Sequence, residues 1–200
     1  MKKIALTGGI GTGKSFIAGI MRTMGVPVYF SDVMARRLME TDDVLSAALK
    51  REVSPDLYGP DGRLDRKLLA SMLFSNDDVR RKVESLVHPA VVRDYQKWNE
   101  RYADWKFTVF ESAILFESGL DGLFDMVIGV SAPLELRIER CLMRDGETRE
   151  SVERRMAAQM PQDRLASLCD FMIENDGSEN LHDRLVEIFE NLIGTGSENV

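Results

Sequence analysis

The stretch Gly8-Gly9-Ile10-Gly11-Thr12-Gly13-Lys14-Ser15 decides how this chain is read. Gly8, Gly13, Lys14 and Ser15 meet the pattern G-x-x-x-x-G-K-[ST], the signature of a P-loop. A short apolar run, Lys3 to Thr7, precedes the stretch, and a helical pattern, Phe16 to Met24, follows it. Glycines at 8, 9, 11 and 13 let the backbone curl so that its N–H groups point inward at phosphate oxygens. The helix behind them adds the positive end of its dipole. A strand-to-helix turn that binds nothing needs only one or two glycines, because each extra one costs backbone entropy. Gly9, Ile10, Gly11, Thr12, Gly13, Lys14, Ser15 and Phe16 are therefore the expected contacts of a nucleoside triphosphate. Lys14 is expected at the β- and γ-phosphates, and the Ser15 hydroxyl on Mg²⁺.

Outward from the loop, short β-rich runs alternate with helical stretches. Lys3 to Thr7, Val26 to Phe30, Phe107 to Phe110, Met126 to Val130 and Phe171 to Glu174 predict five strands of a parallel sheet covered on both faces. The first helix should begin near Gly13 and stop before Gly25-Val26-Pro27. Between the second and third strands lie about 75 residues, far more than one crossover helix needs. That excess reads as helices over Val33 to Met39, Asp43 to Arg51, Arg66 to Phe74, Asn76 to Leu86 and Pro89 to Tyr102. Asp65, and Ser75 or Asn76, stand where N-caps belong. Pro133 to Ala158 is helical around a break at Asp145-Gly146, where a flap could project. The tail from Gly194 to Val200 is expected to fray.

Composition bounds the function. The chain has 200 residues with 44% hydrophobic and 30% charged, ordinary for a globular protein, and no apolar run long enough for a bilayer. A net charge of -7 argues against non-specific nucleic-acid binding but leaves room for a small anion held by local donors. The apolar stretch after Met1-Lys2-Lys3 is too short for a signal-peptide core, so the cytoplasm is the expected compartment. Cys141 and Cys169 lack metal-site or redox spacing and read as packing residues.

Candidates for a second substrate follow. Asp32 comes after the second strand, on the sheet edge that carries the loop. Its carboxylate could accept the proton of an attacking hydroxyl, help hold Mg²⁺, or, like Ser31, cap the helix near Val33. Spacing leaves these readings open. Arg137, Arg140 and Arg144 share a helix face, with Arg149 and Arg155 beyond the break. All basic residues between 134 and 160 are arginine, whose planar fork suits spread phosphate charge. Glutamates at 135, 139, 147, 150 and 153 support the alternative of exposed helices laced by ion pairs. His88-Pro89 at a helix start reads as structural. Glu111 and Glu117 could order metal-bound water, or serve as a turn or helix cap.

With these residues in view, the chain resembles the dephospho-CoA kinases over nearly its whole length. The resemblance rests on Ala5 to Ser15, including Thr7 before the first glycine, and on Val26-Pro27-Val28 with Asp32 to Arg36. It continues through Asp61 to Arg66, Val87-His88-Pro89 with Arg93, and Leu115-Phe116-Glu117. Arg140 with Arg144-Asp145, Arg155 to Gln159, and Ile173 to Gly177 complete it. Two departures stand out: Phe30-Ser31-Asp32 replaces the family's Asp-Ala-Asp, and Ser112-Ala113 replaces its proline.

The resemblance implies an α/β, three-layer P-loop NTPase fold with a five-stranded parallel sheet, a helical substrate-binding insertion and a helical lid. The nucleotide-binding core would be 1–32, 103–132 and 159–200, the acceptor insertion 33–102 and the lid 133–158. The implied reaction moves the ATP γ-phosphoryl group to the ribose 3′-hydroxyl of dephospho-CoA, with Mg²⁺. Catalytic roles fall to Asp32, Lys14 and Arg140, and Arg140, Arg144 and Asn175 join the ATP contacts, Asn175 near adenine. Thr7, Asp32, Arg66, His88, Arg93 and Glu117 become expected substrate contacts. The expected partners are ATP and dephospho-CoA, with no nucleic acid or membrane, and the expected assembly is a monomer or weak homo-oligomer. The alternatives are a kinase for a nucleotide or another small alcohol, and a nucleotide-dependent switch that binds a protein.

Overall fold

The computed structural model describes residues 1–194; Thr195–Val200, most of the tail expected to fray, lie outside the described residues. Strand β1 (Lys2–Gly8) holds Ile4, Ala5 and Leu6 fully out of water, as a central strand covered on both faces must. It pairs in parallel with β3 (Phe107–Ser112), from Lys2↔Phe107 to Thr7↔Ser112, and with β4 (Met126–Ser131), from Ile4↔Met126 to Gly8↔Val130. With β2 (Val28–Phe30) beyond β3 and β5 (Phe171–Glu174) beyond β4, the order is β2-β3-β1-β4-β5. All five expected strands are present in a parallel, helix-covered sheet. The chain has neighbours on both sides of β1 that come later in sequence. The crevice past the carboxyl ends of such strands is where open α/β sheets take ligands.

Helix α1 (Lys14–Thr23) buries Ile17, Ala18 and Met21, and packs on β1 and β3 and against α9 (Leu181–Gly194). Each large apolar side chain so buried contributes about 1.5–3 kcal/mol. It stops where the sequence predicts, with Met24 as C-cap and Gly25 at φ 85°. On β1 the Ala5 side chain points opposite to those of Ile4 and Leu6 and packs with Leu115 and Val127. Cys169 packs beside this group, and α8 (Gln162–Leu168) lies on β4. Burial pushes the Cys169 thiol up to about 11, which suits a packing residue.

After β4 come α6 (Leu134–Asp145) and α7 (Arg149–Ala157), separated at the expected break, where Gly146 caps α6 at φ 64°. Ile138, Cys141 and Val152 form a buried cluster between them, with Ile10 of the loop packed against it.

The chain divides into two units, Met1–Tyr29 with Tyr102–Val200, and Phe30–Arg101. The second is helical: α2 (Ser31–Thr41), α3 (Asp43–Glu52), α4 (Arg66–Ser75) and α5 (Asp77–Glu100). Asp42, Asp65 and Asn76 each accept two backbone N–H bonds as N-caps, so two of the helix starts follow directly from the predicted caps. Such caps contribute about 1 kcal/mol each. Between α3 and α4 the Tyr58 hydroxyl donates to the Met39 carbonyl at 2.7 Å, and its ring lies under Lys50 Nζ.

One expectation is overturned here. Residues 76–102 do not form two helices broken before Pro89; α5 runs through it, so His88 is a mid-helix residue. Proline at 89 costs the helix about 3 kcal/mol through a missing N–H and a clash. Val83, Val87, Ala90, Val91 and Tyr95 form one buried stripe that spans the proline, and α5 packs on α2, α3 and α4. Tertiary burial along that stripe outweighs the local break. Among the described residues no helix is long and apolar enough to cross a membrane.

Candidate active site

The loop from Gly9 to Gly13 joins β1 to α1, and its conformation is fixed from outside by its carbonyl groups. Gly11 and Gly13 have φ of 79° and 85°, a region that side chains rarely tolerate. Around them, Arg137 Nε donates to the Ile10 carbonyl at 2.9 Å, and Asn175 Nδ2 donates to the Thr12 carbonyl at 2.9 Å. The Thr12 hydroxyl donates to the Gly9 carbonyl at 2.9 Å. In a trans peptide the C=O and the following N–H point in opposite directions. Holding the carbonyls of Ile10 and Thr12 therefore turns the N–H groups of Gly11 and Gly13 the other way. Among the described residues no side chain caps α1 and no acid stands in its first turn, an arrangement that suits an anion at its N-terminus.

Lys14 and Ser15 converge on one carboxylate. Lys14 Nζ lies 3.4 Å from Glu111 Oε1, and the Ser15 hydroxyl donates to the same oxygen at 3.1 Å. Glu111 is 3% exposed. It is a strand residue, opposite Leu6 in the β1–β3 register, so the turn or helix-cap reading of Glu111 falls. Two hard oxygen donors side by side, a hydroxyl and a carboxylate, fit Mg²⁺, which takes few protein ligands and completes its shell with water and phosphate. Next to the loop, Thr7 is 1% exposed and its hydroxyl has no hydrogen-bond partner among the described residues.

The arginines divide by partner. Arg137 is 9% exposed and spent on the loop, with Nη1 donating to Gln162 Oε1 at 3.0 Å. Burial holds its guanidinium below the usual arginine range. Among the described residues Arg140 Nη1 makes only long contacts, 3.5 Å to the Gly11 carbonyl and 3.4 Å to that of Thr12. Arg144 is exposed in the last turn of α6. Arg149 binds Glu135 and Glu153, and Arg155 binds Glu147 at 2.6 Å. Arg149 and Arg155 are thus exposed and ion-paired, the arrangement the alternative reading expects.

Asn175 follows β5 and is 6% exposed, with its amide on the loop backbone. Glu117 accepts the Met160 N–H at 3.0 Å. Gln159 accepts the Ile10 N–H at 2.8 Å, a contact that nothing in the sequence signalled beyond its place in a family motif.

In the helical unit, Asp32 is exposed and lies in the first turn of α2. The helix starts at Ser31, earlier than predicted, and neither Ser31 nor Asp32 caps it. The cap reading is therefore overturned, which leaves the Asp32 carboxylate without that local task. Arg66 places Nε and Nη2 on Glu40 Oε1 at 3.1 and 2.7 Å in an exposed pair. His88 and Arg93 stand on α5, His88 half-buried and Arg93 exposed. Burial pulls the His88 imidazole below its usual range, against the opposing charge of Glu84.

Comparison with known proteins bears on the whole chain. A family model described as dephospho-CoA kinase matches residues 2–180. A dephospho-CoA kinase of Bacteroides fragilis is 36% identical over 186 residues, covering 93% of this chain and 90% of its own. One from Porphyromonas gingivalis is 38% identical over 191 residues, covering 95% and 94%. A crystal structure of a Thermus thermophilus protein superposes with a TM-score of 0.84 at 34% identity, covering 95% of this chain and 96% of that one.

Proposed function

The chain belongs to the dephospho-CoA kinase family, and on that premise we propose that it transfers the ATP γ-phosphoryl group to the ribose 3′-hydroxyl of dephospho-CoA, giving coenzyme A and ADP. The observation that carries this reading is the loop itself. Its carbonyls are held outward by Arg137, Asn175 and Thr12, while Lys14 and Ser15 meet on buried Glu111.

In this reading the inward N–H groups and Lys14 hold the β- and γ-phosphates. Arg140 leaves its long carbonyl contacts, weak at 3.4–3.5 Å, for phosphate oxygens, and exposed Arg144 joins it. Arg137 stays on the loop. Ser15 and Glu111 would hold Mg²⁺, which supplies charge neutralisation on the transferring group. Asp32 orients or deprotonates the attacking hydroxyl. Residues 33–102 receive dephospho-CoA, with Arg66, His88 and Arg93 as contacts. Arg66 gives up little to do so, since exposed ion pairs contribute little. Thr7 and Glu117 complete the acceptor side. Residues 133–158 act as the lid that excludes water, without which ATP hydrolysis would compete. The enzyme works in the cytoplasm as a monomer or weak homo-oligomer, without nucleic-acid or membrane partners.

The test is to incubate the purified protein with Mg-ATP and a panel of acceptors and to follow ADP release. Dephospho-CoA should raise ADP far above buffer. If it gives no more than buffer while a nucleotide does, the reading fails in favour of a nucleotide kinase.

A further inference from the structure

Ile10 is gripped on every side it offers. Its N–H donates to Gln159 Oε1 at 2.8 Å, its C=O accepts from Arg137 Nε at 2.9 Å, and its side chain packs on the cluster of Ile138, Cys141 and Val152. The two gripping side chains are themselves held. Arg137 Nη1 donates to Gln162 Oε1 at 3.0 Å, and Met160, next to Gln159, donates its N–H to Glu117 at 3.0 Å. Arg137 belongs to α6, and Gln159 follows α7 by two residues. These grips fall on two successive peptide units: the Gly9–Ile10 unit is held at its N–H by Gln159 and at its C=O by the Thr12 hydroxyl, and the Ile10–Gly11 unit is held at its C=O by Arg137. The Gly11 N–H, which shares its plane with the Ile10 carbonyl, is thus set by Arg137 of α6, and the plane before it by Gln159 at the end of α7.

We propose that Gln159 is a positioning residue for ATP: it ties the root of α6–α7 to Ile10 and so pre-sets the phosphate loop before nucleotide arrives. The proposal rests on the reading of the loop as an ATP-phosphate cradle. A loop that is already arranged loses less conformational freedom on binding, so releasing this tie weakens ATP binding. Dephospho-CoA is unaffected, because Gln159 touches the loop.

The experiment compares the parent with Gln159→Met by calorimetry with Mg-ATP, by KM for each substrate and by thermal unfolding. ATP affinity should fall about fivefold to tenfold, the weight of one hydrogen bond, with KM for dephospho-CoA and kcat within about twofold. Unchanged ATP affinity, or a parallel loss for both substrates, overturns the proposal. A parent that binds no ATP would instead sink the cradle reading itself. Should Gln159→Met not fold, Gln159→Glu keeps shape and acceptor but sets a negative charge at the loop. Its ATP affinity should then be reduced at low salt and recover at high salt. No loss at low salt overturns the placement of residue 159.

Discussion

Lys14 Nζ lies 3.4 Å from Glu111 Oε1, so the cation expected to bind phosphate is paired with a buried acid. The Ser15 hydroxyl shares that oxygen. On the proposed reading, a phosphate taken up by Lys14 would replace the Glu111 carboxylate as its partner.

Glu111→Gln separates these roles. It keeps an acceptor for Ser15 but removes the charge, so kcat should fall on the order of 10²-fold and the Mg²⁺ dependence should move to higher concentration. Mg²⁺-free ATP should bind at least as tightly as to the parent, because Lys14 loses a competitor. Steady-state kinetics over a Mg²⁺ series and calorimetry check both parts.

Asp32 caps nothing on α2, so Asp32→Asn should leave the helix and its stability nearly intact. Phosphoryl transfer should drop by about 10²–10⁴-fold if the carboxylate handles the hydroxyl proton. ATP affinity should hardly move. A large loss of ATP binding would make Asp32 a metal-binding or structural residue instead.

Arginines with different partners should behave differently. Arg140→Ala removes a group with only long contacts of its own and should lower kcat by about 10²-fold or more while raising KM for ATP. Arg149→Ala breaks exposed pairs with Glu135 and Glu153 and should leave both constants within about twofold. Equal losses in the two variants would contradict the division.

His88 gives a pH signature. Burial places its folded pKa below the unfolded value, so below the ordinary histidine range the unfolded chain binds the extra proton. Stability should decline as pH falls through about 6.5 towards the folded pKa, and recover as pH rises. His88→Gln should flatten that slope in urea melts at a series of pH values; an unchanged slope assigns it to other groups.

The sequence by itself determined the phosphate loop, the five strands, and the starts of α4 and α5. Each depends on contacts within a few residues: glycine positions, an apolar run, an Asp or Asn accepting N–H bonds two and three residues on. Tertiary structure alone decided what crosses long sequence distances. Glu111 meets Lys14 and Ser15 because β3 lies beside β1, a neighbour relation that no local pattern encodes. Arg137 and Arg140 look alike on a helical wheel, yet only Arg137 is buried against Ile10 and tightly bonded to it. Pro89 signals a break, and a buried stripe continuous across it overrides the signal. Gln159 carried no hint beyond its place in the Arg155 to Gln159 motif. Its partner is a single backbone N–H about 150 residues away, and only folding brings the two within 2.8 Å.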